Sequence, residues 1–251
     1  MIRLAALLTT LVFFVVSSAN AQDFGPLKGV AFGTGKKAVV VYLHGDVSRG
    51  GPAKYHFRFM SQVAAREAGA TAIGLLRPGY DDGLGRVSPG NNHNRRDQYT
   101  QANADLIAET LGSIRSGWPD AKLIVLGHSG GAAQLGVVIA QNPGLVDTAI
   151  LLSCPCHLKN WHDSHKDWNP NWSRSLSPAD FIDQLTDATK IIAITGSDDK
   201  NTRPKLAEDY VAAVQKRGLP AELRIAEGGD HNGNFQLEKA FISAIREEIA
   251  N

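Results

Sequence analysis

Cysteine is scarce: 251 residues hold two, Cys154 and Cys156, one residue apart, so a disulfide framework is not what holds this chain together. Charge of one sign is lacking too. Twenty-six basic side chains face 25 acidic ones, and this balance offers no electrostatic footprint for nucleic acid or an anionic membrane surface. Beyond the first residues no apolar run approaches a bilayer span, and no repeat of solenoid or propeller length is present. The 25 glycines and 11 prolines follow no fixed period, which excludes a collagen-like rod. With 43% hydrophobic residues the chain is too apolar to stay disordered. One α/β domain is the expected organisation.

The N-terminus differs from the rest. Arg3 is the only charge before the apolar run Leu4 to Val16, which ends in Ser17-Ser18-Ala19-Asn20-Ala21. A positive start, an apolar core and an A-x-A exit read as a secretory signal peptide over residues 1–21, cleaved after Ala21. The run is short for a membrane anchor. No twin arginine points to folded export, and no cysteine near the cleavage site points to a lipid anchor. The expected location is therefore secreted or periplasmic, with no membrane association after cleavage.

From Ala38 onward, short β-branched runs alternate with segments of helical spacing. Strands are expected at Ala38–Leu43, Ala70–Leu76, Lys122–Leu126, Val146–Leu152, Lys190–Ile194 and Ala221–Ala226. Helices are expected at Ala53–Ala68, Arg96–Ile114, Ala132–Gln141, Pro204–Arg217 and Phe235–Ile249, with a short one opened by Ser177-Pro178. This alternation implies a mostly parallel sheet covered by helices on both faces. Ligands of such sheets sit beyond the carboxyl ends of the strands, so chemistry is sought in the residues that follow each strand.

Gly127-His128-Ser129-Gly130-Gly131 matches G-x-S-x-G between a strand and a helix, the context this motif requires. A turn so sharp strains the serine backbone and brings its neighbours close, and glycine removes the side chains that would clash. Ser129 is the expected nucleophile. A hydroxyl needs a base, and His231, in a Gly-rich loop after the last strand, is placed to serve. The imidazole in turn needs an acid. Asp199 is chosen over its neighbour Asp198, which reads as a turn residue. The order serine, acid, histidine belongs to one fold.

With these motifs the chain resembles an α/β-hydrolase. Ser177-Pro178-Ala179-Asp180, a strand, Gly196-x-x-Asp199, a helix, Gly218-Leu219-Pro220, a strand and His231 are similar to the C-terminal half of the dienelactone-hydrolase and prolyl-oligopeptidase branches. The chain shows no sign of the β-propeller that precedes the catalytic domain in full prolyl oligopeptidases. The resemblance implies an oxyanion hole built from the backbone N–H of Gly130 and one in His44-Gly45-Asp46, most directly that of Asp46. An aspartate there departs from the commoner histidine–glycine–glycine pattern, so its carboxylate is expected to point away from the developing charge.

Cys154-Pro155-Cys156 follows the fourth strand. A local disulfide or two loop thiols fit better than a metal site, since the nearby His157, His162 and His165 lack zinc spacing. Residues 153–177, rich in tryptophan and histidine, are expected as a cap-like insertion. Trp161, Trp168 and Trp172 either line a substrate pocket there or simply pack the segment onto the sheet. In the polar loop 77–94 and just beyond it, Arg77, Tyr80, His93 and Arg95 are weaker candidates for substrate contact, Tyr80 chief among them. The expected function is a serine hydrolase that cleaves a small-molecule carboxylic ester by acyl transfer, with no metal or organic cofactor required. A short-peptide substrate is the alternative. A non-catalytic binding protein on the same fold is the competing class, and retention of all three chemical groups argues against it.

Overall fold

The computed structural model describes residues 24–165 and 172–251. The expected signal peptide and Trp168 lie outside the described residues. Seven strands form one sheet: β1 (Gly29–Phe32), β2 (Ala38–Leu43), β3 (Ala70–Leu75), β4 (Lys122–His128), β5 (Thr148–Leu152), β6 (Lys190–Gly196) and β7 (Ala221–Ala226). Their order is β1-β3-β2-β4-β5-β6-β7, and only β1 runs antiparallel to its neighbour. Among the described residues six helices accompany them: α1 (Tyr55–Arg66), α2 (Gln101–Gly117), α3 (Gly130–Gln141), α4 (Leu158–Asp163), α5 (Pro204–Lys216) and α6 (Phe235–Ala250). Two of these elements, β1 and α4, are not among those expected from the sequence. The short helix expected at Ser177-Pro178 is a 3-10 turn over Pro178–Gln184.

Every side chain of β2 is buried, as its unbroken Ala38-Val39-Val40-Val41-Tyr42-Leu43 run requires of a strand covered on both faces. Alternation sorts them: Val39, Val41 and Leu43 join the core beneath α2 and α3, while Ala38, Val40 and Tyr42 join the core beneath α1 and α6. α3 is hydrophobic nearly all round, with eleven residues from Gly130 to Ala140 buried, so it lies deep against the sheet. Among the described residues no helix is long and apolar enough to cross a membrane.

From β2 the chain passes outward to β3, then returns to the other side of β2 to form β4. The carboxyl ends of β2 and β4 therefore flank the point where the winding reverses, where a crevice opens in sheets of this kind. The loops leaving these two strands are His44-Gly45-Asp46 and the turn at Ser129.

Candidate active site

Ser129 sits between β4 and α3 with φ 53° and ψ −119°, a left-handed backbone that a non-glycine residue adopts only under strain. Three contacts explain its glycine neighbours. A Cβ on Gly127 would lie 2.6 Å from the Gly131 carbonyl oxygen, and one on Gly131 would lie 2.2 Å from that of Leu43. A Cβ on Gly130 would meet Asp46 Oδ1 at 2.0 Å. The Ser129 N–H donates to the Leu152 carbonyl at 2.8 Å, which ties the turn to the end of β5.

The structure brings the three sequence-remote groups together. Ser129 Oγ lies 3.1 Å from His231 Nε2, and His231 Nδ1 lies 3.0 Å from Asp199 Oδ2. Asp199 is buried, and its other oxygen accepts the backbone N–H groups of Asn201 and Thr202 at 2.9 and 2.8 Å. The Thr202 hydroxyl bridges Asp199 Oδ2 and His231 Nδ1 at 2.7 and 3.0 Å. Burial pushes the Asp199 pKa up, but hydrogen bonding and charge from His231, joined by the Thr202 bonds, outweigh it and hold the carboxyl below its ordinary value. It is therefore ionised at neutral pH. Asp198 is exposed, and among the described residues its carboxylate bonds only to the Ser197 hydroxyl, at 3.3 Å. An imidazole held this way keeps its proton on Nδ1, donates it to the carboxylate, and presents a bare Nε2 to the serine hydroxyl.

A second imidazole positions the first. His128 Nε2 lies 2.9 Å from the His231 carbonyl oxygen, and only an N–H can satisfy a carbonyl. Burial, then the nearby His231, lowers the His128 pKa to about 4, so the ring is neutral. Its Nδ1 must then accept, and the Tyr55 hydroxyl donates to it at 2.8 Å while receiving the Gly45 N–H at 2.7 Å. One chain of hydrogen bonds thus joins the loop after β2 to the backbone of His231.

The Asp46 N–H is aimed by similar means. His44 Nε2 accepts the Arg77 N–H at 3.0 Å, which puts the His44 proton on Nδ1, and that proton is donated to the Gly45 carbonyl at 2.6 Å. The Gly45 carbonyl and the Asp46 N–H belong to one planar trans peptide, so fixing the first points the second the opposite way. The next carbonyl, that of Asp46, accepts the Tyr80 hydroxyl at 2.7 Å. Among the described residues no acceptor engages the N–H of Asp46 or of Gly130. The Asp46 carboxylate is drawn toward Arg77 Nη1 at 2.9 Å and the Tyr99 hydroxyl at 2.6 Å. Arg77 is fully buried; desolvation alone would lower its pKa, but the Asp46 charge beside it raises it, so the guanidinium stays charged.

A cavity of about 490 Å3 opens over Ser129 and His231, walled by residues 45–49, Tyr55, Arg95, His128, Trp161, Asn201 and Asn232. Trp161, for which both a pocket-lining and a packing role were open, borders the cavity and donates its ring N–H to the Asn201 carbonyl at 3.1 Å. Trp172 instead stacks edge-on between Trp161 and Tyr99. Tyr80 requires a correction. It is 1% exposed and does not border the cavity, because the Asp46 carbonyl captures its hydroxyl from below. Arg77 is likewise internal, whereas Arg95 does reach the cavity. In the segment after β5, Cys154 and Cys156 form a buried disulfide, and Leu176, Arg174 and Ser175 anchor the far end on Tyr99 and Asp97. Among the described residues no group of His, Cys, Asp or Glu is arranged to hold a metal ion.

Comparison with known proteins agrees with this fold. No curated protein matches the chain. Among solved structures, esterase PE8 is 15% identical with a TM-score of 0.65, over 89% of this chain and 99% of that one. A Pyrococcus furiosus esterase is 12% identical with a TM-score of 0.67, over 95% and 93%. The Pyrococcus horikoshii acylaminoacyl peptidase is 15% identical with a TM-score of 0.67; the match covers 92% of this chain but 40% of that one. At such identities the likeness is one of fold. The family model described as the prolyl oligopeptidase family matches residues 91–244, from the loop before α2 into α6, a stretch that holds Ser129, Asp199 and His231. The chain belongs to the prolyl oligopeptidase family, as a serine hydrolase of the α/β-hydrolase fold.

Proposed function

We propose that the protein is a secreted or periplasmic esterase that cleaves carboxylic esters through an acyl-enzyme. The observation that carries this reading is the pair of hydrogen bonds from Ser129 Oγ to His231 Nε2 and from His231 Nδ1 to Asp199 Oδ2. His231 takes the Ser129 proton as Oγ attacks the ester carbonyl. The Gly130 and Asp46 N–H groups bind the resulting oxyanion; one such donor is worth about 3 kcal/mol in the transition state. His231 gives its proton to the leaving alcohol. Water, deprotonated by His231, then frees the acid and restores Ser129. A cavity of about 490 Å3 lies in the lower half of the range for small-ligand sites and suits a small ester. Trp161 supplies an apolar wall for it. Family membership favours a second reading, a peptidase with the same three groups.

A panel of chromogenic esters and aminoacyl anilides, run on wild type and Ser129→Ala, tests both. Ester turnover that vanishes in Ser129→Ala, with labelling of the wild type by a fluorophosphonate, is the expected result. Faster anilide than ester turnover would make it a peptidase, and no turnover or labelling would end the proposal. Export is supported by the residue pattern before Gln22 and by the Cys154–Cys156 disulfide, which an oxidising compartment preserves. N-terminal sequencing of the exported protein should begin at Gln22.

A further inference from the structure

Acyl transfer leaves two charges at the cavity without a task. Arg49 and Arg95 both line it. Several surface arginines are neutralised: Arg58 pairs with Glu238, Arg115 with Asp147, Arg174 with Asp97, Arg246 with Glu67. Among the described residues neither Arg49 nor Arg95 has a carboxylate within ion-pair distance. Among the described residues the one carboxylate on the cavity wall, Asp46, is already occupied by Arg77 and Tyr99. Among the described lining residues, two guanidinium groups thus stand against one already paired carboxylate.

Arg95 is also held in place. It ends the left-handed turn His93-Asn94-Arg95, with φ values of 46°, 55° and 65°, a strained backbone for three successive non-glycine residues. Its Nη1 donates to the Val47 carbonyl at 2.5 Å and its Nη2 to the Gly51 carbonyl at 2.7 Å, and its guanidinium lies 5.5 Å from the centre of the Tyr80 ring. Two neutral carbonyls position the group without cancelling its charge. They belong to the loop 47–51 that also carries Arg49, so the loop that holds Arg95 brings a second arginine to the cavity. A guanidinium has five N–H donors in a fixed fork, and those left over suit a carboxylate.

Resting on the acyl-transfer reading, we propose that the substrates are esters bearing a carboxylate, which Arg95 and Arg49 bind while Ser129 attacks the ester carbonyl. The carboxylate could sit on the acyl or the alcohol side, and the test separates the two. Values of kcat/KM are measured for para-nitrophenyl hydrogen adipate against para-nitrophenyl hexanoate, and for meta-carboxyphenyl acetate against phenyl acetate, at low and high salt.

In one of these pairs the charged ester should be preferred by about tenfold at low salt, with the preference shrinking at high salt. Arg95→Gln and Arg49→Gln should each reduce that ratio severalfold, and Arg95→Lys should retain part of it. Arg49 bonds to no described residue, so its variant separates charge from any disturbance of the loop. Neutral esters matching or beating both charged ones in wild type, or ratios unchanged in both glutamine variants, would overturn the proposal. Should no ester be turned over at all, the acyl-transfer reading fails by itself. Adipate binding to Ser129→Ala by calorimetry then decides: binding weakened by Arg95→Gln upholds an anion site, and no binding overturns it.

Discussion

Asp199→Asn isolates the step on which the chemistry turns. The structure dictates how the new amide would lie. Asp199 Oδ1 accepts two backbone N–H groups, from Asn201 and Thr202, and an asparagine must keep its carbonyl oxygen there. Turning the amide over would set an NH2 against two donors and leave them unsatisfied, at about 1–3 kcal/mol each, or about 2–6 kcal/mol in all. The NH2 therefore takes the Oδ2 position and donates to His231 Nδ1. The imidazole proton is driven to Nε2, against Ser129 Oγ, where it blocks proton transfer. If activity survives only in the disfavoured arrangement, about 2–6 kcal/mol corresponds to roughly 30-fold to 10^4-fold in kcat. The same change in serine-protease triads costs about 10^4, the upper end. The assay is ester turnover together with fluorophosphonate labelling rate, with thermal melting to confirm folding. Asp198→Asn, at an exposed carboxylate that meets only Ser197, should stay within about twofold. An Asp199→Asn variant within tenfold of wild type, or an Asp198→Asn variant the more damaged of the two, would refute the reasoning.

Other outcomes follow from the same structure. His44→Phe frees the Gly45 carbonyl and with it the direction of the Asp46 N–H, so kcat should fall about 10-fold to 100-fold with KM little changed, as for partial loss of one oxyanion donor; a shift in KM alone would count against it. Trp161→Ala should raise KM for large acyl groups well beyond its effect on acetyl esters, and an equal effect on all would show that the ring only packs. Arg77→Met strands the Asp46 carboxylate and should cost about 3–5 kcal/mol, seen as a melting temperature lower by roughly 6–20 °C. Glu248, whose side chain is nearly fully buried, is pushed up by burial but pulled down to about 2 by hydrogen bonds from Lys190, Lys122 and Thr148. Its folded pKa lies below its ordinary 4.5, so its stabilisation is complete above that value and lost as pH falls toward 2. Melting of Glu248→Gln should be lower than wild type at neutral pH, with the gap closing across that window; a gap that widens in acid would refute the assignment.

The parts of this molecule that were legible in the sequence are those fixed by local rules. The buried strands showed as β-branched runs, and the turn at Ser129 showed because Gly127 and Gly131 must let backbone pass within van der Waals contact. His231 and Asp199 could be located because each follows a strand whose carboxyl end faces the same crevice. The strand β1 escaped notice because it has four residues, begins with Gly29 and pairs only with β3 at the sheet's edge. The helix α4 has six residues and carries Trp161 and His162 inward without a full amphipathic period. Tyr80 lies beneath the cavity for a reason no local pattern carries: its acceptor is the carbonyl of Asp46, 34 residues away. The roles of His44, Tyr55 and His128 were missed for the same reason, since each depends on which distant atom sets a tautomer.

The aspartate at position 46 illustrates how such long-range terms decide chemistry. A carboxylate beside an oxyanion site would repel the charge that acyl transfer creates, and the sequence alone gives no means of cancelling it. The structure supplies two. Arg77, buried and tied to Gln134 and to the His44 carbonyl, meets one carboxylate oxygen, and the Tyr99 hydroxyl meets the other. The carboxylate then occupies the space above the Gly130 α-carbon, which explains why the residue after Ser129 carries no side chain. Its charge is compensated, so it acts as a strut: it links β2, β3, α3 and the segment before α2 at the point where two N–H groups must converge. A lone substitution of Arg77 or Tyr99 would release that charge toward the site, which is why the oxyanion geometry and the stability of this corner are expected to fail together.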